Sequence, residues 1–308
     1  FNPSLQFKDK IRKEIETKVL QVFPQALFEI SFSTKKTIKN TIAIASGKGG
    51  VGKSTIASNL AVALTNKGYK VGLLDADIYG PSIPLMFDAE NERPKKIQHG
   101  DGFLMSPIIS YGVKIMSIGF FLKPNDALVW RGPMATKALK EILSNTDWGY
   151  LDYLLIDLPP GTGDIHLSLV QTLSISGAII VTTPQPVSLI DAKKAIRMFN
   201  KEEINVPILG LVENMSWLSI DNKKHYIFGK EGGKILSESE SIKLLAELPL
   251  NQSIREAGDI GRPAALQATE LSDHFNHLAE IVNDCIVNRN RDLDLTKKVK
   301  ITHNRGCN

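Results

Sequence analysis

An α/β fold with a mainly parallel sheet, flanked by helices and built around a phosphate-binding loop, is predicted by three observations. Residues Gly47-Lys48-Gly49-Gly50-Val51-Gly52-Lys53-Ser54 complete the pattern G-x-x-x-x-G-K-[ST]. From Asn40 onward, short apolar runs alternate with stretches of helical spacing. Two of those apolar runs end in aspartate, at Asp75 and Asp157. Alternation of strand and helix implies a parallel sheet covered on both faces, and such sheets bind ligands at the carboxyl ends of their strands.

Taken in order, Phe7, Ile11, Ile15, Val19 and Val22 recur at helical spacing within 7–23, and 26–33 alternates like a strand. One helix and one strand are too little for a domain. Residues 1–36 therefore read as the back part of a small α+β module joined to a main body at 37–288, with 289–308 as a flexible tail. The chain opens on Phe1 rather than methionine, which fits a module whose front lies upstream.

The run 41–46 is apolar without helical period, consistent with a buried parallel strand, and 54–66 follows as a helix. The glycine loop thus lies between strand and helix, where backbone N–H groups turn inward on phosphates. In that role Lys53 neutralises the outer phosphates and the Ser54 hydroxyl ligates Mg²⁺. Lys48 has no part in those tasks. It either points to solvent or reaches across a dimer interface to a partner's nucleotide, as an arginine finger does in trans; the second alternative marks the "deviant Walker A" ATPases.

A strand at 70–75 ends in Asp75-Ala76-Asp77. Attack on a γ-phosphate needs a carboxylate to position or deprotonate water, and Asp77 is the candidate, with Asp75 anchoring the loop. A helix is expected at 134–145, then a strand at 152–157 whose Asp157 completes a Walker B pattern and supports Mg²⁺. The segment Leu158-Pro159-Pro160-Gly161-Thr162-Gly163-Asp164 is suited to sensing the γ-phosphate. Helices at 164–175 and 188–200 and strands at 177–182 and 208–212 follow. Asn214, just past the last strand, carries an amide able to donate and accept at once, as the edge of adenine requires. A final helix over 270–287 places Leu271, Phe275, Leu278, Ile281, Val282, Cys285 and Ile286 on one side. Asp273, Glu280 and Asp284 lie on its polar face, so a core-facing role is expected rather than a membrane anchor.

Composition narrows the class. The chain has 308 residues, 43% of them hydrophobic, enough for one large α/β domain with extensions. Its net charge of +4 is small and dispersed, giving no case for nucleic acid. No run of eighteen apolar residues and no charged-then-apolar leader occurs, so neither a membrane span nor a secretory signal is expected. Two cysteines, Cys285 and Cys307, make no disulfide framework, and a cytoplasmic setting follows.

Taken together, the motifs closely resemble the Mrp/ApbC family of iron–sulfur cluster carrier ATPases, within the wider SIMIBI-type P-loop group that holds MinD, ParA and the nitrogenase iron protein. The resemblance spans about residues 40–268. It rests on IAIASGKGGVGKSTIASNLA, LLDADIYGPSIP, WRGPM at 130–134, LLIDLPPGTGD, TTPQPVSLIDAKKAIRMF at 182–199, ENMS at 213–216, YIFGKEGGK at 226–234 and IREAGDIGRP at 254–263. It implies an ATP-bound homodimer that hydrolyses ATP slowly and passes clusters to apoproteins, in company with the assembly machinery. Gly47 to Thr55 would cradle the phosphates, with Lys48 reaching the neighbouring site. Asp77 would orient the water, Ser54 and Asp157 would serve the metal, and Asn214 would meet adenine. Residues 1–36 resemble the end of the small N-terminal domain that many bacterial members carry.

The chain departs from that family in one respect. Most members place Cys-x-x-Cys shortly after Asn-Met-Ser, whereas 215–226 here contains no cysteine. Cys285 reads as a small buried hydrophobe. Cys307 and His303 remain as candidate cluster ligands, two thiolates and two imidazoles in a dimer. The alternatives are a nucleotide-gated scaffold without metal, or a positioning ATPase of the MinD/ParA kind, which calls for a membrane-targeting helix or a DNA-binding face.

Overall fold

The computed structural model describes residues 5–28, 30, 37–99, 102–121, 132–163, 166, 170 and 173–293. It divides into two compact units, 1–37 and 38–308. In the first, helix α1 (Leu5–Val22) matches the expected periodic stretch. The expected strand at 26–33 is not found in its described residues: Ala26, Leu27, Phe28 and Ile30 have no strand conformation. A turn closes after the helix, with Ala26 N–H donating to Phe23 O at 3.1 Å, and Leu27 is fully exposed. Alternation alone does not make a strand, and among the described residues of this unit no neighbouring strand accepts a ladder from it. Residues 29 and 31–33 lie outside the described residues.

The second unit opens with β1 (Ile38–Ala45), α2 (Lys53–Asn66), β2 (Val71–Asp75) and the short helix α3 (Ile83–Met86). A ribbon of β3 (Lys96–His99) and β4 (Gly102–Met105) precedes β5 (Ile108–Ser110), β6 (Val113–Ser117) and α4 (Gly132–Ser144). Next come β7 (Leu151–Asp157), β8 (Gly177–Thr182), α5 (Pro186–Phe199) and β9 (Ile208–Glu213). A second ribbon, β10 (Leu218–Ile220) with β11 (Lys223–His225), leads to α6 (Gly232–Glu240) and β12 (Leu244–Glu247). Helices α7 (Gln252–Asp259) and α8 (Glu270–Asp292) complete the described chain.

Eight strands form one sheet in the order β12-β9-β8-β1-β7-β2-β6-β5, parallel throughout except for β5 against β6. The central strands are buried on both faces: every residue from Asn40 to Ala45 is covered, as is all of β2 and β8. That explains why they read as continuous apolar runs rather than alternations. Leu60, Leu64, Leu73, Leu154 and Ile179 are wholly inaccessible, and each contributes about 1.5–3 kcal/mol of burial. Strand β1 has β7 on one side and β8 on the other, and the chain winds outward from it in both directions. Its carboxyl end is therefore the switch point where open α/β sheets bind ligands.

Helix α8 packs on α2, and its Phe275, Leu278, Ala279, Val282 and Ile286 are all buried. The core-facing expectation for this segment fits, although the helix continues past 287 to Asp292 instead of giving way to tail. Cys285 is half-buried against the core, and burial raises its thiol pKa. Of the expected helix at 164–175, His166 and Val170 are helical and most other positions lie outside the described residues. Among the described residues no helix is long and apolar enough to cross a membrane.

Candidate nucleotide-binding site

The glycine loop joins β1 to α2 at the switch point. Gly52 has φ 83°, and a Cβ there would lie 2.2 Å from the Asn214 amide nitrogen, so both backbone and space demand glycine. Gly47 has a different constraint, since its Cβ would fall 2.0 Å from Asp191 O at the middle of α5. Two contacts set the loop's course. Ser46 Oγ donates to Lys48 O at 2.9 Å, and Asn214 Nδ2 donates to Val51 O at 2.9 Å.

Three expected functional side chains meet below the loop. Lys53 Nζ lies 2.6 Å from Asp157 Oδ1, and Ser54 Oγ donates to Asp157 Oδ2 at 2.6 Å. Asp157 is fully buried and Lys53 is 6% exposed, so the pair is screened little by solvent. Asp75 stands beside Asp157 in the β2–β7 register. Burial and then the Asp157 charge hold its carboxyl well above the usual carboxylate range, with Ser117 and the Asp77 amide opposing.

Asp75 also carries the loop that bears Asp77. Its Oδ1 accepts from Asp77 N–H at 3.1 Å, and its Oδ2 accepts from Ile83 N–H at 3.3 Å and from Ser117 Oγ at 2.9 Å. Ser117 in turn accepts from Gly119 N–H at 2.9 Å. Asp77 is half-buried, and its Oδ1 accepts from Gly80 N–H at 3.3 Å. Burial raises its pKa, while the Lys53 charge works in the opposite direction.

Two adjoining cavities follow from this geometry. One of about 200 Å³ is lined by Lys48, Gly50, Lys53, Ser54, Asp77 and Pro160, a basic, N–H-rich surface for phosphates. The other, of about 210 Å³, is mostly apolar and is lined by Asn214, Met215, Pro249, Leu250, Ile254 and Arg255 among others. They share Gly52, Thr55 and Met86, so a ligand with an anionic end and a flat apolar end would span both. The wall at 249–258 is represented in the sequence motifs only by 254–258, part of IREAGDIGRP, and none of its residues carries an expected role at the site. Its signal was Asn251, whose side chain accepts from Ser253 N–H at 2.8 Å and starts α7 as an N-cap.

The structure brings Lys48, Lys53, Ser54, Asp77, Asp157 and Asn214 together at the loop and its two cavities. Asn214 does line the apolar cavity, but its NH₂ group is engaged by the glycine loop rather than presented to a base. Glu213 beside it is buried, and its Oε2 accepts from Gly233 N–H, fixing the start of α6. Lys48 is half-buried and makes no ion pair among the described residues. It also borders a third cavity of about 170 Å³ with Thr183, Gln185, Ser188 and Phe228. Gly161 N–H donates to Ser46 O at 3.0 Å, tying the proposed sensor segment to the end of β1. His166, just beyond that segment, is 1% exposed, and burial lowers its pKa to about 4. Cys307, His303 and Asp164 lie outside the described residues.

The family model for the ParA group, described as NUBPL iron-transfer P-loop NTPase, matches residues 37–286. The chain belongs to this family. Among relatives, the iron–sulfur cluster carrier protein of Escherichia coli K12 is 53% identical over 235 residues. That match covers 76% of this chain and 62% of the relative, so the chain spans less than two thirds of that protein's length. The mitochondrial iron–sulfur protein required for NADH dehydrogenase of Arabidopsis thaliana is 46% identical over 273 residues, 86% of this chain and 85% of its own. Among solved structures, the Archaeoglobus fulgidus nucleotide-binding protein in complex with ADP is 36% identical with a TM-score of 0.66. It aligns over 78% of this chain and 93% of its own, which agrees with a mainly parallel P-loop fold here.

Proposed function

We propose that this chain is a Mg²⁺-dependent ATPase of slow turnover that, as a cytoplasmic homodimer, carries iron–sulfur clusters to apoproteins. The observation that carries the reading is the convergence of Lys53, Ser54, Asp77 and Asp157 on the glycine loop, in a chain of the iron-transfer NTPase family. Gly47 to Thr55 bind the phosphates, and the apolar cavity takes the nucleoside. Ser54 Oγ and Asp157 Oδ2 are an all-oxygen donor pair that suits a hard divalent cation. Bound there, Mg²⁺ supplies charge neutralisation for the phosphates.

The protein groups divide the remaining tasks. Lys53 turns from Asp157 to the outer phosphates, and Asp77 accepts a hydrogen bond from the attacking water and orients it. Lys48 reaches the nucleotide of the second subunit. The cluster is cargo. Among the described residues no group of three or more His, Cys, Asp or Glu is gathered to hold a metal. Cys307, with His303, is the ligand set we propose, supplied from both subunits.

Anaerobic reconstitution with iron and sulfide, followed by absorbance and Mössbauer spectroscopy with and without ATP, tests this reading. A labile cluster is expected in the wild type and a reduced content in Cys307→Ser. Equal content in Cys307→Ser and in a chain truncated after Lys300 would remove the tail as ligand. No cluster in the wild type would favour a nucleotide-gated scaffold.

A further inference from the structure

Strands β10 and β11 form a two-stranded antiparallel ribbon just past Asn214. Leu218, Ser219 and Ile220 pair with His225, Lys224 and Lys223. Asp221 and Asn222 make the turn with φ 50° and 59°, the left-handed pair that two-residue hairpins require. Among the described residues the ribbon joins no larger sheet, and it is exposed along nearly its whole length.

Its charge is arranged rather than scattered. Lys224 Nζ stands 3.7 Å from the centre of the Trp217 ring, and that ring meets His274 of α8 edge-on at 6.3 Å. Lys223, Lys224 and Lys234 make no ion pair among the described residues, while Lys230 pairs with Glu231 at 3.6 Å. Ile220, Tyr226 and Ile227 add exposed apolar surface alongside. A cation held over an aromatic face keeps its outward charge with less freedom to lose on binding.

The root of the ribbon is fastened to the nucleotide cavity. Leu250 N–H donates to Trp217 O at 2.7 Å and Ser216 N–H donates to Leu248 O at 2.8 Å. Leu250 and Met215 both line the apolar cavity. A ligand that shifts 249–251 therefore acts on the backbone that carries Trp217 and Lys224.

We propose that the β10–β11 ribbon is a docking surface for an acidic protein partner, coupled to the nucleotide site. An anionic membrane or a nucleic acid fits less well, because Asp221 and Glu231 interrupt the positive charge, whereas surfaces that bind those polyanions gather uninterrupted runs of Lys and Arg. Mixed charge with an apolar margin suits a protein face. In the carrier reading, on which the partner's role rests, that partner is the recipient apoprotein.

The probe is a fluorescently labelled acidic apoferredoxin, with cytochrome c as a basic control, titrated with the full chain and followed by anisotropy. Docking needs no cluster, so cluster transfer is measured separately and can fail without affecting this result. The expected outcome is binding of apoferredoxin but not cytochrome c, weakened at least tenfold by Lys223→Glu/Lys224→Glu with unchanged ATP affinity. ATP and ADP should also give different affinities for the probe, and by linkage the probe should alter nucleotide affinity by the same factor. No binding of apoferredoxin, an unchanged affinity in the double variant, or one affinity in both nucleotide states overturns the proposal. So does tighter binding of phosphatidylserine vesicles or duplex DNA through these lysines, or a loss of self-association in the double variant with apoferredoxin binding intact.

Discussion

Asp157 holds both Lys53 and Ser54 through its two oxygens, so three polar groups that would bind a nucleotide satisfy one another inside the protein. Removing either member of the Lys53–Asp157 pair leaves a buried charge uncompensated, which costs several kcal/mol. Lys53→Ala is therefore expected both to abolish ATP binding by equilibrium titration and to lower thermal stability. Asp77 differs in being half-buried and outside that cluster. Asp77→Asn should keep ATP affinity within a few-fold and lower turnover by about 10²-fold or more, the scale of a lost general base. Unchanged turnover would remove Asp77 from the mechanism. A further prediction concerns His166, whose pKa falls from 6.5 to about 4 on burial. A group with a depressed folded pKa binds protons more readily when unfolded, so its contribution to stability is present above pH 6.5 and is lost as pH falls towards 4. His166→Gln should be less acid-sensitive across that window, by up to about 3 kcal/mol, measured as denaturant midpoints from pH 7 to 4. Equal pH slopes for both proteins would dismiss the idea.

At the scale of elements, the loop between β2 and α3 depends on a chain of hydrogen bonds running from Gly119 through Ser117 and Asp75 to Asp77. Ser117→Ala removes one donor and leaves the nucleotide cavities intact. It should reduce turnover about tenfold with KM nearly unchanged, because only the position of Asp77 is relaxed; a raised KM at constant kcat would place the effect on binding instead. Ser117 could not have been found from the sequence, since it matters only because β6 lies beside β2. The same distinction governs the rest. Strands β1, β2, β7, β8 and β9 are legible because most of their residues are buried and each carries an apolar run. Short exposed pieces such as β3, β4, β10 and β11 lack that imprint, and β12 carries only four residues at the sheet edge. The glycine loop and both aspartates could be read because local chemistry dictates them. The apolar cavity could not, because its walls come from 52–55, 85–86, 214–215 and 249–259 and meet only in three dimensions. Asn214 shows both sides: its position beside the cavity was foreseeable, its bond to Val51 was not.

For the whole molecule, the proposed homodimer makes Lys48 the decisive residue, since it borders cavities on two sides of the loop. Lys48→Ala should bind ATP almost as well as the wild type but lose catalysis and ATP-stabilised dimerisation, measured by sedimentation. Mixing Lys48→Ala with Asp77→Asn subunits should restore part of the activity, because the Asp77→Asn subunit lends its lysine to the intact aspartate next door. No recovery would argue against action in trans. Another whole-molecule property follows from the last helix. Asn290 of α8 donates to Asn40 of β1 across 250 residues of chain, and the same helix covers α2. On a ribosome adding 5–20 residues per second, roughly 12–50 s separate the synthesis of those two partners. Throughout that interval the strand and helix that flank the glycine loop have been made without their cover. The nascent chain must remain shielded until α8 emerges, and a stalled or prematurely ended copy would carry a complete phosphate-binding sequence on a face it has no means to close.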